Sequence, residues 1–99
     1  MLFVIHAIDH AGVLETRLAH YEAHKAFVAR SADFAVAVKM SGPLVSDDGT
    51  TTIGSLYIVD APDRDAVLRF NHADPFHAAK IWKRVSISAF IRRAGDADV

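Results

Sequence analysis

The stretch 1-MLFVIHAIDH-10 is apolar at both parities: Leu2, Val4 and Ile8 alternate with Phe3, Ile5 and Ala7. Successive side chains of a strand point to opposite faces, so a strand built from Leu2 to Ile8 has two faces to cover. Asp9, His10 and Gly12 bound it. The segment lacks the basic start of a secretory signal and soon meets His6 and Asp9, so it reads as a strand and not as a leader.

Further along, Leu14, Leu18, Tyr21 and Val28 fall at helical spacing within residues 13–30, which predicts a first helix with that stripe buried. Asp33 and Phe34 open FAVAVKM, strand two, and 41-SGPLVSDDGT-50 reads as a loop because of Gly42, Pro43 and Gly49. Thr52 to Val59 is strand three. Pro62 and Asp63 start a second helix that runs to about His72. The pair Asp74-Pro75 interrupts the pattern and opens a short turn or helix. Trp82 to Arg92 is strand four, with Val85, Ile87, Ala89 and Ile91 alternating against Ser86, Ser88, Phe90 and Arg92. Residues 93–99, RAGDADV, form a polar, frayed tail.

The order βαββαβ predicts an α+β, ferredoxin-like sandwich: a four-stranded antiparallel sheet with two helices on one face, in a single domain over residues 1–92. Helices cover one side of the sheet. The apolar residues at the other parity need a second cover, and the chain has no residues left to supply it. A second copy of the chain does, so a homodimer is expected.

Composition narrows the function classes. The 99 residues suffice for one small domain, and just over half are hydrophobic. The absence of cysteine excludes disulfides, thiol catalysis and Cys-ligated metal centres. A net charge of −1, from 11 basic and 12 acidic residues, gives no basic footprint for nucleic acid. No apolar run nears the roughly 20 residues that span a bilayer. The expectation is a soluble, cytoplasmic protein with a small-molecule ligand, no nucleic-acid partner and no membrane partner. Six histidines in so short a chain are the one functional pointer in the composition.

On the first helix, at about 100° per residue, Arg17 and His24 lie beside each other at the edge of the apolar stripe, with His20 slightly further towards solvent. An edge position lets a side chain be partly buried and still meet a ligand, and it equally suits an ordinary boundary residue. His20 and His24 are spaced i, i+4, as zinc ligands can be. The sequence is HYEAH and not HExxH, however, and Glu22 falls on roughly the opposite side of the helix. No metal is expected. Asp74 before Pro75 is explained by helix capping alone. His72 and His77 read as exposed, and Gly42-Pro43 and Gly54 as turn and close-packing positions. Ser55, Ser86 and Ser88 have no nucleophile context, and DDGTTTIG has neither the lysine nor the spacing of a phosphate loop.

Six fragments in one order, MLFVIHAIDH, AHK with His24, SGPL, IGSLYIV, ADPF and VSISAFIRR, resemble the YCII (YciI-like) family over residues 1 to about 92. The resemblance implies a ferredoxin-like fold related to the dimeric α/β barrels, a dimer, and a His–Asp pair at the active site. On this chain those positions match His24 and Asp74. It also implies lyase-type chemistry in the breakdown of aromatic compounds, in a family most of whose members have no assigned reaction. One departure stands out. Many relatives carry arginine and proline just before the AH of this motif, where this chain has Tyr21 and Glu22; Arg17, one turn earlier, is the candidate replacement.

A His–Asp pair without a serine or cysteine nucleophile suits general acid–base work, and it needs no cofactor. Asp74 would hold one imidazole nitrogen, a role compatible with capping because a carboxylate has several acceptor sites. Arg17, His20 and Ser55 are the candidate substrate-binding residues, Arg17 or His20 steadying oxyanion charge, and Tyr57 and Phe76 are candidate roof residues. The expected function is a cofactor-free lyase or isomerase acting on a small cyclic or aromatic metabolite. Two other classes fit the same residues: a non-catalytic dimer that binds a small molecule, and a cofactor-free monooxygenase of the related dimeric barrel type.

Overall fold

In the computed structural model, which describes residues 1–95, the chain runs β1 (Leu2–Asp9), α1 (Leu14–Ala19), α2 (Tyr21–Val28), a 3₁₀ turn (Ser31–Phe34), β2 (Ala37–Val45), β3 (Thr52–Asp60), α3 (Arg64–Ala73), α4 (Pro75–Ala78) and β4 (Trp82–Phe90). Most of the expected tail, residues 96–99, lies outside the described residues. The strands form one antiparallel sheet of order β2-β3-β1-β4. This is the ferredoxin-like arrangement, with the apolar first strand inside the sheet and helices on one face.

The register explains which residues are buried. Ile5 pairs with Tyr57 and Ile87, Phe3 with Val59 and Ala89, and Ala7 with Ser55 and Val85, so these residues share a face. Phe3, Ile5, Ala7, Tyr57 and Val59 are buried there against Ala66, Val67 and Phe70 of α3, with Phe76, Ile81 and Trp82 completing the core. Phe70 is the hub of the aromatic packing. Its ring stacks on Phe27 at 5.1 Å and meets Tyr57 edge-on at 6.3 Å, both favourable geometries. Asp63 caps α3 by accepting from the Ala66 amide at 2.9 Å. The other parity, Leu2, Val4, His6 and Ile8 with Leu56 and Ile58, forms a second face that no element among the described residues covers; its apolar members are only half-buried.

Several expectations are corrected. The helix over 13–30 is two helices that meet at His20, whose backbone (φ −104°, ψ 3°) leaves the helical region. Of its stripe only Val28 packs against the core: Leu14, Leu18 and Tyr21 are 54%, 68% and 49% exposed, and the buried residue of α1 is Arg17. A helical period shows that a face is apolar but not what that face meets. Strand two is also displaced. Residues 31–34 form the 3₁₀ turn, which Ala35 ends in the left-handed region (φ 59°), and β2 then continues through Ser41, Gly42 and Pro43 to Val45. Pro43 is tolerated because β2 is an edge strand with a single partner. Register shifts at Val38/Met40 and Leu44/Val45 mark its irregular course. Finally, β4 ends at Phe90, two residues before the expected boundary.

Gly54 is a close-packing position within β3, as expected from the sequence. A Cβ added there would collide with the carbonyl oxygen of Ala7 on β1 and come within 3.1 Å of Leu44 Cδ1. The obstructing atom on β1 is backbone, so it cannot swing aside. Gly54→Ala should therefore cost about 3 kcal/mol or more, at or beyond the upper range of overpacking substitutions. Urea denaturation measures this, and a variant as stable as the wild type would contradict the close approach.

Candidate active site

The junction between α3 and α4 is organised by Asp74. Its backbone is extended (φ −63°, ψ 132°), which ends α3, and Pro75 follows as the first residue of α4. Asp74 Oδ1 accepts the Phe76 amide at 2.9 Å, the helix cap expected from the sequence. The same oxygen lies 2.9 Å from His24 Nδ1, and Oδ2 accepts the Tyr57 hydroxyl at 3.3 Å. The residue is 1% exposed. A carboxylate so deeply buried needs donors, and these three come from α4, α2 and β3.

This contact selects the tautomer of His24. A carboxylate accepts, so in the neutral imidazole Nδ1 carries the proton and Nε2 keeps its lone pair. Nε2 lies 3.5 Å from the Tyr57 hydroxyl. The imidazole is stacked on the Phe76 ring, with centroids 4.0 Å apart and planes 5° from parallel.

Arg17 approaches from α1. Its Nε donates to Asp9 Oδ2 at 3.0 Å, and Nη2 donates to the Gly54 carbonyl at 2.8 Å and to Ser55 Oγ at 2.5 Å. Its Cζ lies 4.8 Å from the centroid of the Phe76 ring, a cation–π distance. One fully buried ring thus supports both the guanidinium and the imidazole.

These groups face a cleft of about 400 Å³ between α1–α2 and β2–β3, within the size range of small-molecule sites. The exposed side chains of Leu14, Leu18 and Tyr21 line it, as does Pro43, so the apolar stripe of the first helical segment belongs to the cleft. Arg17, His24, Ser55 and Tyr57 are among its polar groups, with Lys25, Ser41 and Thr52 alongside.

Of the residues singled out in the sequence, His24 meets Asp74, and Arg17 bonds Ser55 on the same cleft wall. His20 is not brought to this wall; its Nδ1 donates to the Thr16 carbonyl of α1, the helix it follows, at 2.8 Å. Phe76 is not a roof residue but is fully buried behind the polar groups. Asp9 escaped the sequence reading. Its only signal was an acidic residue closing an apolar strand. His72 and His77 are exposed, their rings 5.0 Å apart. Among the described residues there is no cluster of three or more potential metal ligands, and no helix is long and apolar enough to cross a membrane.

Burial pushes the Tyr57 phenol well above its ordinary value of 10.0, and the charge of Asp74 adds to the effect. Above pH 10 the phenol ionises in the unfolded chain while the folded one stays protonated. The unfolded state then binds fewer protons, so stability falls as pH rises, with a slope approaching about 1.4 kcal/mol per pH unit from this group. Tyr57→Phe should remove that contribution and flatten the alkaline limb. Urea denaturation of both proteins between pH 9 and 11 checks it; parallel limbs would contradict the assignment.

No protein with a curated description matches the chain in sequence. Among solved structures, the 5-chloro-2-hydroxyhydroquinone dehydrochlorinase TftG of Burkholderia phenoliruptrix, in complex with 2,5-dihydroxybenzoquinone, is 27% identical with a TM-score of 0.82, over 94% of this chain and 96% of that one. A protein of Arabidopsis thaliana (15% identical, TM-score 0.52, covering 96% and 97%) and one of Mycobacterium tuberculosis (14% identical, TM-score 0.51, covering 95% and 97%) share the fold. A family model of the YCII-related domain matches residues 1–91, and the chain belongs to that family.

Proposed function

We propose that the protein is a general acid–base enzyme of lyase type that acts on a small hydroxylated aromatic ring, with His24 as the base and Asp74 as its partner. The observation that carries this reading is the 2.9 Å contact between a buried carboxylate and an imidazole on the cleft wall. The likeness to a dehydrochlorinase of a hydroxyhydroquinone supports the ring class.

In this reading Nε2 of His24 takes the proton of a ring hydroxyl. The oxygen's electron pair becomes a carbonyl, and the displaced ring pair takes a proton at the carbon that bears the leaving group. Loss of a second hydroxyl proton then expels that group with its bonding pair. The sum is the loss of one H–X from the ring, with no external oxidant or reductant. Asp74 holds the imidazole in one tautomer and stabilises the imidazolium that forms. Arg17, held by Ser55, stands where it can stabilise the oxyanion. The apolar walls of Leu14, Leu18 and Pro43 take the faces of the ring.

Incubation with a chlorinated hydroxyhydroquinone, following chloride release beside an oxygen electrode, tests the proposal. Chloride should appear without oxygen uptake, and His24→Ala should slow its release by about 10²–10⁴-fold. Asp74→Asn keeps an acceptor for the Phe76 amide and loses the charge, so it should slow the reaction with little loss of stability. Asp74→Ala strips the acceptor from three buried donors, the Phe76 amide, the His24 imidazole and the Tyr57 hydroxyl, so it should lose about 3 kcal/mol or more. Oxygen uptake matching turnover would replace this mechanism with a monooxygenase, and full activity in His24→Ala would reject it.

We also infer that the protein is a homodimer packed through the open face of its sheet. The support is the apolar surface of Leu2, Val4, Ile8, Leu56 and Ile58, which no element among the described residues covers. A contiguous apolar patch of this kind marks an interface. Sedimentation at micromolar concentration should give twice the mass of one chain; a monomer there would exclude the dimer.

A further inference from the structure

Asp9 has no part in the acid–base pair, yet it is among the most buried charges in the molecule. Its side chain is 5% exposed, against 11% for its partner Arg17. One carboxylate oxygen accepts from Arg17 Nε, and the other has no partner among the described residues. A buried ion pair satisfied on one side only is a poor source of stability, because desolvation offsets the attraction. Its effect is geometric. The Arg17 guanidinium is held by Asp9 at Nε, by the Gly54 carbonyl and Ser55 Oγ at Nη2, and by the face of Phe76. Only Nη1, with two N–H donors, has no acceptor among the described residues, and Arg17 lines the cleft beside His24.

We propose that Asp9 is a positioning residue: through Nε it sets the plane of the Arg17 guanidinium so that Nη1 offers an anion-binding edge, which makes the cleft select a ring in its ionised, oxyanion form over the same ring uncharged. The proposal rests on the reading of the cleft as a ring-binding site. Charge alone predicts the opposite effect. Asp9 is negative, so its removal leaves the site more positive and should strengthen the hold on an anion. Positioning predicts that removal weakens it. The sign of the change separates the two.

The probes are 2,5-dihydroxybenzoquinone, a vinylogous acid that is ionised at neutral pH, and its uncharged dimethyl ether, titrated calorimetrically into the wild type, Asp9→Ala and Asp9→Asn. The wild type should prefer the ionised ring. Asp9→Ala should weaken that binding about tenfold or more, the worth of a charge-assisted hydrogen bond, and leave binding of the ether unchanged. Asp9→Asn, which keeps an acceptor for Nε–H, should fall between, and it carries the same comparison if Asp9→Ala does not fold. Unchanged or tighter binding of the ionised ring overturns the proposal, as does an equal loss for both rings, which would mark Asp9 as merely structural. If the wild type binds neither ring, the ring-binding reading fails, and the positioning of Arg17 is decided by its Nε–H resonance in ¹H–¹⁵N NMR. A resolved, slowly exchanging signal in the wild type that is lost in Asp9→Ala supports positioning; a signal retained in that variant overturns it.

Discussion

A single buried carboxylate, that of Asp74, ties together three parts of the molecule that the chain keeps far apart. Its donors are the amide of Phe76 on α4, the imidazole of His24 on α2 and the hydroxyl of Tyr57 on β3. In an interior of low polarity each acceptor left bare has a high cost. The three donors must therefore arrive together. That requirement sets where α2 lies against the α3–α4 junction, and where both lie against the sheet. The position of His24 on the cleft wall follows from the way Asp74 is satisfied.

Two charged groupings stand on either side of this arrangement, and Phe76 joins them. Asp9 and Arg17 form one; Asp74 and His24 form the other. Both the guanidinium and the imidazole rest on the Phe76 ring, which is rigid, fully buried and anchored at its own amide by Asp74. The cleft therefore presents a guanidinium and an imidazole held by a common support. Gly54 contributes from the sheet. The same tight approach to β1 that excludes a side chain there places its carbonyl to receive Arg17.

The cleft has a corresponding cost in exposure. Leu14, Leu18 and Tyr21 face it and not the core, so the apolar burial that usually holds an amphipathic helix in place is reduced in α1 and α2. What holds this region is the polar anchoring of Arg17 and His24, with Phe27 packed on Phe34 and Phe70 further along. The cleft lining and the polar anchoring thus share one short segment.

The sequence by itself determined what is local or periodic. The order of elements, the start of α3 near Asp63, the stop at Asp74-Pro75 and the apolar character of β1 on both faces are all properties of a few neighbouring residues. Family resemblance further named His24 and Asp74, but no period sets the distance between residues fifty positions apart. Tertiary structure decided the rest. It turned the Leu14–Leu18–Tyr21 stripe towards a cleft, kept the Gly42-Pro43 stretch in an edge strand, left His20 bonded to α1, and brought Asp9, Arg17 and Ser55 into one cluster. A period of 3.6 or 2 records only that a face differs from its opposite. Which surface it meets, and which buried charges find partners there, depends on how helices and sheet pack, and that is a property of the whole chain.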